Sequence, residues 1–305
     1  MPHHHYEQPL RHKFWFIYGQ RLHRFMTRRA VNAFMRPSDI ISHRPSLFGY
    51  HEPHLEQLIG HEATNHGDFL MDIGANIGLV SCLTGGHFKK VIAVEPNQIV
   101  CNILRSNLAL NLPEGQFEIH EIGLGHEDGT AELTVPRTNF GGGFVADQNP
   151  QLSDQGAENL ATNFSDRADH FTTMITIKEA QKWVGDVFAD LSSNGLKHGV
   201  IKIDVEGYEG LIFDTILAQL PPDMTVVVIM ENWFKNFPTS SFASDHHKLD
   251  FYTFVKQRRW LKSLPFKILG LSSLYRFAQV PLTDQTRNPH DVICYVTPKR
   301  QARES

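Results

Sequence analysis

Hydrophobic and polar positions follow two different patterns along this chain of 305 residues. Before about residue 60, large apolar residues recur at steps of three and four, which predicts helix. These positions are Trp15, Tyr18, Leu22, Phe25 and Met26. From Gly67 onward, short apolar runs alternate with amphipathic stretches, as in strand–helix–strand units around a parallel sheet. The change predicts a helical N-terminal extension, residues 1–60, and one α/β domain, residues 61–305.

The apolar runs predict the strands of this domain. They are Phe69–Ile73, Val91–Val94, Phe117–Ile122, a short extra strand Ala131–Val135, Gly199–Val205, Thr225–Met230, and a closing pair, Phe277–Leu282 and Val292–Val296. Amphipathic stretches between them predict helices over Gln98–Leu110 and Leu211–Leu220, each followed by proline. Residues 146–169 are polar and nearly without aliphatic side chains, which predicts a loop or lid.

A turn that contains two glycines ends the first predicted strand, in Met71-Asp72-Ile73-Gly74-Ala75-Asn76-Ile77-Gly78. Gly74 and Gly78 permit a tight turn and let a ligand lie against the backbone. Asn76 stands where a dinucleotide-binding turn has its second glycine. Because a pyrophosphate needs that close approach, the pattern argues against NAD or FAD. Asp72 suits a ligand with an ammonium group, such as the methionine part of S-adenosylmethionine.

A single acid, Glu95, ends the second strand in Val94-Glu95-Pro96-Asn97. An acid at this place can accept hydrogen bonds from both hydroxyls of a ribose. Pro96 restricts the backbone that enters the next helix. The two turns together predict a site for a nucleoside cofactor without phosphates. Its candidate residues are Asp72, Gly74, Asn76, Gly78, Glu95, Pro96 and Asn97.

Further carboxylates follow the next two strands. The run Ile201-Lys202-Ile203-Asp204-Val205-Glu206-Gly207-Tyr208-Glu209 brings Asp204 and Glu206 to the edge where open α/β sheets bind ligands. Glu209 begins a helix, where an acid interacts favourably with the helix dipole. Glu231 and Asn232 end the following strand and add an acid and an amide to the same edge.

These three motifs, in this order, resemble the FkbM-type methyltransferases. The stretches Asn107-Leu108-Ala109-Leu110-Asn111 and Asn139-Phe140-Gly141-Gly142 match the family as well. The resemblance runs from about Gly67 to Pro298, without residues 1–60 or the basic residues 251–283, which we interpret as an insertion. It implies a doubly wound, seven-stranded Rossmann-like methyltransferase sheet and S-adenosylmethionine as donor. It also implies O-methylation of sugars, polysaccharides or polyketide-like hydroxyls.

Methylation of a hydroxyl needs a base, because a hydroxyl is a poor nucleophile near neutral pH. Asp204, Glu206 and Glu231 are the candidate catalytic residues, with no choice made among them. An alternative keeps a divalent metal, Mg²⁺ or Ca²⁺, held by oxygen atoms of Asp204, Glu231 and Asn232. We do not favour the metal, because acids at strand ends more often bind substrate hydroxyls directly.

Charge is unevenly distributed in a chain whose net charge is −4. Residues 8–38 carry seven Lys or Arg and residues 251–283 carry six, and neither segment contains an acid. Aromatic residues interleave with these charges, which predicts a surface for an anionic partner, including peripheral contact with an anionic membrane. No apolar run reaches the roughly 18 residues of a membrane span. Met1–Leu10 has no apolar signal core, so the expected location is the cytoplasm.

Two other functions stay open from the sequence. A non-catalytic nucleoside-binding partner protein would share the fold, although the intact carboxylates argue against it. The basic segments suggest a methyltransferase that acts on nucleic acid, yet the chain lacks an Asn-Pro-Pro-Tyr-type element for a flipped base. We therefore expect a small-molecule or glycan acceptor and no nucleic acid, and we leave the oligomeric state open.

Overall fold

The computed structural model describes residues 18, 20–36, 42–137, 139, 141–145, 170–205, 207–232, 237–258, 275–286, 289 and 291–299. Three helices precede the first strand within these ranges. They are α1 (Gln20–Met26), α2 (His43–Phe48) and α3 (Pro53–His66).

Strands and helices then alternate through most of the chain. In chain order they are β1 (Phe69–Ile73), α4 (Leu79–Thr84), β2 (Lys90–Val94), α5 (Gln98–Asn111), β3 (Phe117–His120), β4 (Gly123–Gly125), β5 (Gly129–Pro136), β6 (Phe144–Val145), β7 (His170–Glu179), α6 (Ala180–Ser193), β8 (His198–Ile203), α7 (Glu209–Gln219), β9 (Thr225–Glu231), β10 (His247–Arg258), β11 (Tyr275–Pro281) and β12 (Asp291–Pro298). The strands predicted at Phe69–Ile73, Val91–Val94 and Thr225–Met230 match β1, β2 and β9 to within one residue.

Eight of the described strands form one sheet, in the order β11-β10-β12-β9-β8-β1-β2-β3. The five strands from β9 to β3 are parallel, whereas β12, β10 and β11 are antiparallel to their neighbours. Along the chain, β1 is the first strand of this sheet. Strands β2 and β3 then add to one side of β1, and β8 and β9 add later to its other side. The point of reversal lies between β1 and β8, where a doubly wound sheet opens a crevice at its carboxyl edge.

Helices cover both faces of this sheet. Phe69, Met71 and Ile73 of β1 pack in one apolar cluster with α6 and α7. Leu70, on the opposite face of the same strand, packs in a second cluster with α3, α4 and α5. The predicted doubly wound, Rossmann-like α/β fold is therefore confirmed, with eight strands in the described sheet where seven were expected.

Strand β10 is the strand of the main sheet that the sequence pattern does not predict. It lies between β11 and β12, so the two strands expected as a closing pair each hydrogen-bond to β10 instead of to each other. Residues 251–258 and 275–281, interpreted as parts of a basic insertion, are thus strands of the main sheet. Arg276 is tolerated on β11 because β11 is an edge strand of the described sheet, and edge strands commonly carry charge. Lys256 on the interior strand β10 has an exposed side chain.

The boundary predicted at residue 60 falls inside helix α3. Leu55, Leu58 and Ile59 are buried in the apolar cluster on one face of the sheet. The hydroxyl of Tyr295 on β12 donates a hydrogen bond to Glu62 Oε1 of this helix at 2.8 Å. Helix α3 is therefore part of the α/β core, because its apolar residues at steps of three and four cover the sheet.

A second sheet of four strands has the order β4-β7-β5-β6. Its apolar side, formed by Ala131, Leu133, Val135 and Ile175, makes a small core of its own. The sequence predicts β5 as a short extra strand but not its partners. The loop or lid predicted at residues 146–169, between β6 and β7, lies outside the described residues.

The assignment of α3 to the core predicts a large effect of Ile59→Ala. Ile59 is 0% exposed, so its truncation should lower the free energy of unfolding by about 2–5 kcal/mol. Leu110→Ala on α5 is the matched control, since Leu110 is 49% exposed and should change the same quantity by less than about 0.5 kcal/mol. Urea unfolding followed by circular dichroism measures both. If both variants lose the same free energy of unfolding, α3 is not part of the cooperatively folding core.

Candidate functional site

A cleft of about 950 Å³, open to solvent, lies at the carboxyl ends of β1, β2 and β8. The turns after these strands form one wall, with Gly74, Asn76, Glu95, Pro96 and Asp204. The second sheet and the chain leading to it form the opposite wall, which is largely apolar. Its residues include Ile122, Leu124, Leu133, Phe144, Val145, Ile175 and Ile177. Among the described residues that line the cleft, none is Lys or Arg.

The turn after β1 has the backbone conformation that its sequence predicts. Gly74 and Gly78 have φ angles of +82° and +84°, and Asn76 has a φ of 51°, in the left-handed region where asparagine is tolerated. A Cβ on Gly74 would lie 1.7 Å from the carbonyl oxygen of Asp204. Only glycine therefore lets the turns after β1 and β8 approach this closely.

Glu95 is 8% exposed and its carboxylate is held by two backbone amides. The N–H of Asn76 donates to Oε2 at 3.0 Å, and the N–H of Asn97 donates to Oε1 at 2.9 Å. Burial raises the pKa of Glu95 to about 7, although these two hydrogen bonds oppose the rise. Each carboxylate oxygen can accept more than one hydrogen bond, so both remain able to accept from hydroxyls in the cleft.

Asp72 does not line the cleft. It is 1% exposed, Ser81 Oγ donates to its Oδ2 at 2.7 Å, and Lys202 Nζ lies 3.9 Å from its Oδ1. Burial raises the pKa of Asp72, whereas Lys202 and the Ser81 hydroxyl act in the opposite direction. The structure places this carboxylate beneath the turn, where its Oδ1 has no hydrogen-bond partner among the described residues, and outside the lining of the cleft, where the sequence predicts contact with a ligand's ammonium group.

Two more of the predicted cofactor residues, Asn97 and Gly78, do not line the cleft but stabilise the helices that follow β2 and β1. Asn97 caps α5, because its Oδ1 accepts the N–H of Ile99 at 3.1 Å. A Cβ on Gly78 would meet Leu104 at 2.6 Å, so this glycine lets α4 pack closely against α5. Gly74, Asn76, Glu95 and Pro96 are thus the predicted cofactor residues that line the cleft.

A second cavity of about 350 Å³, which includes space open to solvent, lies between the ends of β8 and β9 and the start of α3. Asp204 lines both this cavity and the cleft. Glu231, the other described candidate base, lines the second cavity with it. The full lining is Glu52, Leu55, Lys202, Ile203, Asp204, Ile229, Met230, Glu231 and Asp291. The sequence motifs do not point to Glu52 or Asp291, because both come from segments far away along the chain.

Lys202 is a functional candidate that the sequence motifs do not indicate. Its ammonium donates to Asp204 Oδ2 at 2.8 Å, while its side chain is 8% exposed and that of Asp204 is 40% exposed. Burial alone would lower the pKa of Lys202, but the carboxylates of Asp204 and Asp72 outweigh it and raise this pKa. A lysine within the buried strand Val200–Ile203 is the available signal, since buried lysines are rare unless paired.

The remaining acids near α7 have separate roles. Glu209 is 5% exposed and accepts the N–H groups of Val205 and Gly207 at 3.2 and 3.0 Å, so it stabilises the turn before the helix. Glu206, a predicted catalytic residue in this turn, lies outside the described residues.

The alternative metal site lacks support in the described part of the chain. Asp204 and Glu231 share the second cavity, but Asn232 Nδ2 donates to the carbonyl oxygen of Pro289 at 2.7 Å. Across the described ranges, no group of three or more His, Cys, Asp or Glu side chains is arranged to hold a metal ion.

The arrangement suits a neutral nucleoside in the cleft. Apolar side chains of the second sheet offer a surface for a base, and Glu95 lies where it can accept hydrogen bonds from a ribose. The described part of the lining offers no basic side chain for a phosphate. Asp204, on the border with the second cavity, is placed to act on a second molecule bound there.

Similar proteins share part of this chain. Methyltransferase sdnD of Sordaria araneosa is 27% identical over 150 residues, which cover 46% of this chain and 57% of that protein. The match thus spans little more than half the length of this curated relative. A solved SAM-dependent methyltransferase from Agrobacterium tumefaciens has 9% identity and a TM-score of 0.41, covering 81% of this chain and 63% of that one.

An O-methyltransferase from Bacillus cereus, solved in complex with SAH, has 9% identity and a TM-score of 0.38, covering 81% and 82% of the two chains. Both TM-scores are low, so neither structure supports a statement about ligand or substrate. The family comparison is decisive, because residues 72–267, more than half of the chain, match the methyltransferase FkbM domain. The resemblance inferred from the three motifs is confirmed: this chain belongs to the methyltransferase FkbM domain family.

Proposed function

We propose that this protein transfers a methyl group from S-adenosylmethionine to a hydroxyl oxygen of a sugar, a glycan or a similar polyhydroxyl acceptor. Family membership supports the methyl transfer. The observation that carries the rest of the proposal is the position of Asp204, which lines both the cleft and the second cavity. A donor in the cleft and an acceptor in the second cavity would meet beside this carboxylate.

The donor is assigned to the cleft because the cleft complements adenosine. The ribose would lie against Glu95, whose two oxygens are fixed by backbone amides before any ligand binds. Fixing an acceptor in advance reduces the entropy that binding costs. The adenine would pack on the apolar wall formed by residues such as Leu133 and Ile175. Asp72 lies beneath the turn, so we assign it to holding the turn and Lys202.

The acceptor is assigned to the second cavity, where four carboxylates surround a small space. Glu52, Asp204, Glu231 and Asp291 come from four different parts of the chain. Carboxylate oxygens are hydrogen-bond acceptors, and a polyhydroxyl compound supplies many donors to them. This match favours a sugar-like acceptor over an aromatic or purely apolar one.

The reaction is an in-line displacement. The acceptor oxygen forms a bond to the methyl carbon as the bond from carbon to sulfur breaks, and the positively charged sulfonium becomes a neutral thioether. The hydroxyl proton passes to a carboxylate, for which Asp204 is best placed, with Glu231 second. Most of the rate enhancement would come from holding the two molecules in line.

We also propose that the basic N-terminal part of the protein contacts an anionic membrane surface, where a lipid-linked acceptor would be presented. Leu22, Phe25 and Met26 of α1 are between 50% and 63% exposed. The arginines interleaved with them are Arg21, Arg24, Arg28 and Arg29. Exposed large apolar side chains beside arginines are what an interfacial helix needs, and anionic lipid complements the charge. Among the described helices, none combines the length and apolarity that would let it cross a membrane.

The assignment of the cleft predicts that donor binding depends on pH. S-adenosylmethionine should bind wild type with micromolar affinity and lose up to about tenfold in affinity for each pH unit below 7, because protonation of Glu95 removes an acceptor for the ribose. Glu95→Gln should weaken binding and abolish this dependence. Calorimetry between pH 5.5 and 8 measures the affinity for S-adenosylmethionine. Glu114→Gln, which changes an exposed side chain, is the control. Binding that prefers NAD, or no binding at all, would contradict the proposal.

The assignment of the base predicts a loss of turnover with donor binding retained. Asp204→Asn should reduce kcat by about two orders of magnitude or more, and Glu206→Gln and Glu231→Gln test the other candidates. The assay follows labelled methyl transfer to a panel of free sugars, glycolipids and polysaccharides. Asp223→Asn, on an exposed pair with Lys197, is the control. Full activity in all three variants would exclude a carboxylate base, and loss with EDTA reversed by Mg²⁺ would favour the metal alternative.

The membrane proposal predicts sedimentation with liposomes. Wild type should pellet with vesicles in proportion to their anionic lipid content at low salt, and changing Arg21, Arg24, Arg28 and Arg29 to Gln should keep it in the supernatant. Lys178→Gln with Lys182→Gln, an equally exposed basic pair elsewhere, should behave as wild type. Wild type that stays in the supernatant contradicts the proposal, and strong retention on heparin in that case would favour a nucleic-acid partner.

A further inference from the structure

A row of four polar side chains runs beneath the cleft towards the second cavity. Ser81 on α4 donates to Asp72 Oδ2 at 2.7 Å, and Lys202 Nζ lies 3.9 Å from Asp72 Oδ1. The same ammonium donates to Asp204 Oδ2 at 2.8 Å. Ser81, Asp72 and Lys202 are all buried, whereas the Asp204 side chain is 40% exposed and reaches the two cavities. Three of the four side chains are therefore buried, and Asp204 is the one that solvent or a ligand can reach.

We propose that Lys202 is a positioning residue, whose ammonium holds the Asp204 carboxylate at the border between the cleft and the second cavity. Asp72, which accepts a hydrogen bond from Ser81, attracts the ammonium from the other side at 3.9 Å. This inference rests on the proposed function, because it matters to turnover only where Asp204 accepts the proton of an acceptor hydroxyl. The placement of the carboxylate by Lys202 is a property of the protein alone and can be measured without any acceptor.

Because Lys202 is buried, its ammonium has little freedom and can hold the Asp204 carboxylate in one place. An exposed lysine samples many rotamers, and an ion pair that it forms at the surface contributes little. The side chain of Lys202 is 8% exposed and lies in the central sheet, so folding has already restricted it. The backbone of Asp204 is held as well, since its N–H donates to the carbonyl oxygen of Ile73 at 2.9 Å. With both ends fixed, the carboxylate has little freedom left, as a catalytic group requires.

A simpler role for Lys202 would be to neutralise Asp72, a buried charge that would otherwise destabilise the fold. The distances favour the positioning role, because Lys202 Nζ is 2.8 Å from Asp204 and 3.9 Å from Asp72. The two roles make different predictions for a double variant. If Lys202 only neutralises Asp72, removing both charges should restore every property of the wild type.

Several other titratable groups lie near this pair and must stay unchanged in the test. His51, Glu52 and Glu56 lie at the start of α3, and Glu95 follows β2. Glu209 lies at the start of α7, while Glu231 and Asp291 line the second cavity. Lys202 is the only cation among the residues that line the two cavities, apart from any contributed by residues outside the described ranges.

The test compares Lys202→Met, Asp72→Asn and the double variant Lys202→Met with Asp72→Asn. Methionine keeps most of the length of lysine without its charge, and the double variant leaves no unpaired charge in the sheet. Carboxyl-¹³C aspartate is incorporated into each protein, and the Asp204 resonance is assigned by its absence from Asp204→Asn. The ¹³C chemical shift of this resonance at pH 8 is measured together with Tm and with labelled methyl transfer from S-adenosylmethionine to the sugar panel.

Lys202→Met should lower Tm by on the order of 10 °C, because it leaves Asp72 buried without a countercharge. It should also displace the Asp204 resonance, since the carboxylate loses the ammonium that donates to it at 2.8 Å. The double variant should recover most of the lost Tm, yet keep the displaced resonance and a rate at least about tenfold below wild type. Asp72→Asn alone should leave the Asp204 resonance close to its position in wild type.

A double variant that regains both the wild-type resonance position and the wild-type rate would overturn the inference and leave Lys202 with the neutralising role. An Asp204 resonance that does not move in Lys202→Met would overturn it too, and the double variant supplies this measurement if the single one does not fold. Lys248→Met is the matched control, because Lys248 pairs with Asp250 at a similar 2.7 Å on the exposed surface. Absence of methyl transfer in wild type would instead refute the proposed function, and the position of the Asp204 resonance would then decide the role of Lys202 by itself.

Discussion

The close contact between the turns after β1 and β8 is the constraint on which the site depends. Gly74 approaches the carbonyl oxygen of Asp204 so closely that no Cβ fits between them, and the N–H of Asp204 donates to Ile73. The N–H groups of Gly74 and Ala75 both donate to the carbonyl oxygen of Val94. The turn after β1 is thus hydrogen-bonded to the neighbouring strand β2, and the residue that follows β8 is hydrogen-bonded to the end of β1. Glu95, which follows β2, and Asp204, which follows β8, therefore lie on either side of this turn.

The distribution of charge follows from the burial of this edge of the sheet. A carboxylate or ammonium that leaves water must gain equivalent partners, or its charged form becomes unfavourable. Glu95 accepts from two backbone amides, and Asp72 accepts from Ser81 with the Lys202 ammonium 3.9 Å away. Asp204 alone in this group keeps a substantial exposed fraction. It is therefore the carboxylate of this group that is most accessible to an outside molecule, which is why the proposed function assigns the base to it.

The walls that would meet a substrate come from elements outside the basic strand–helix repeat. The second sheet supplies the apolar side of the cleft, and the start of α3 supplies Glu52 to the second cavity. Asp291 reaches the same cavity from β12, an antiparallel strand. A common fold acquires its particular ligands through such additions. The acceptor preference of this protein should accordingly depend on α3 and β12 more than on the motifs shared with its family.

The sequence by itself determined the doubly wound fold, the glycine turn, the place of Glu95 and the family, because these rest on local periodicity and on short motifs whose residues are neighbours in the chain. Tertiary structure alone decided that Asp72 is sealed beneath the turn, that Lys202 pairs with Asp204, and that β10 separates β11 from β12. Which side chains share a cavity depends on packing between segments as distant as Glu52 and Asp291. Periodicity along one segment carries no information about such distances, because burial and pairing are properties of the folded neighbourhood and not of the chain order.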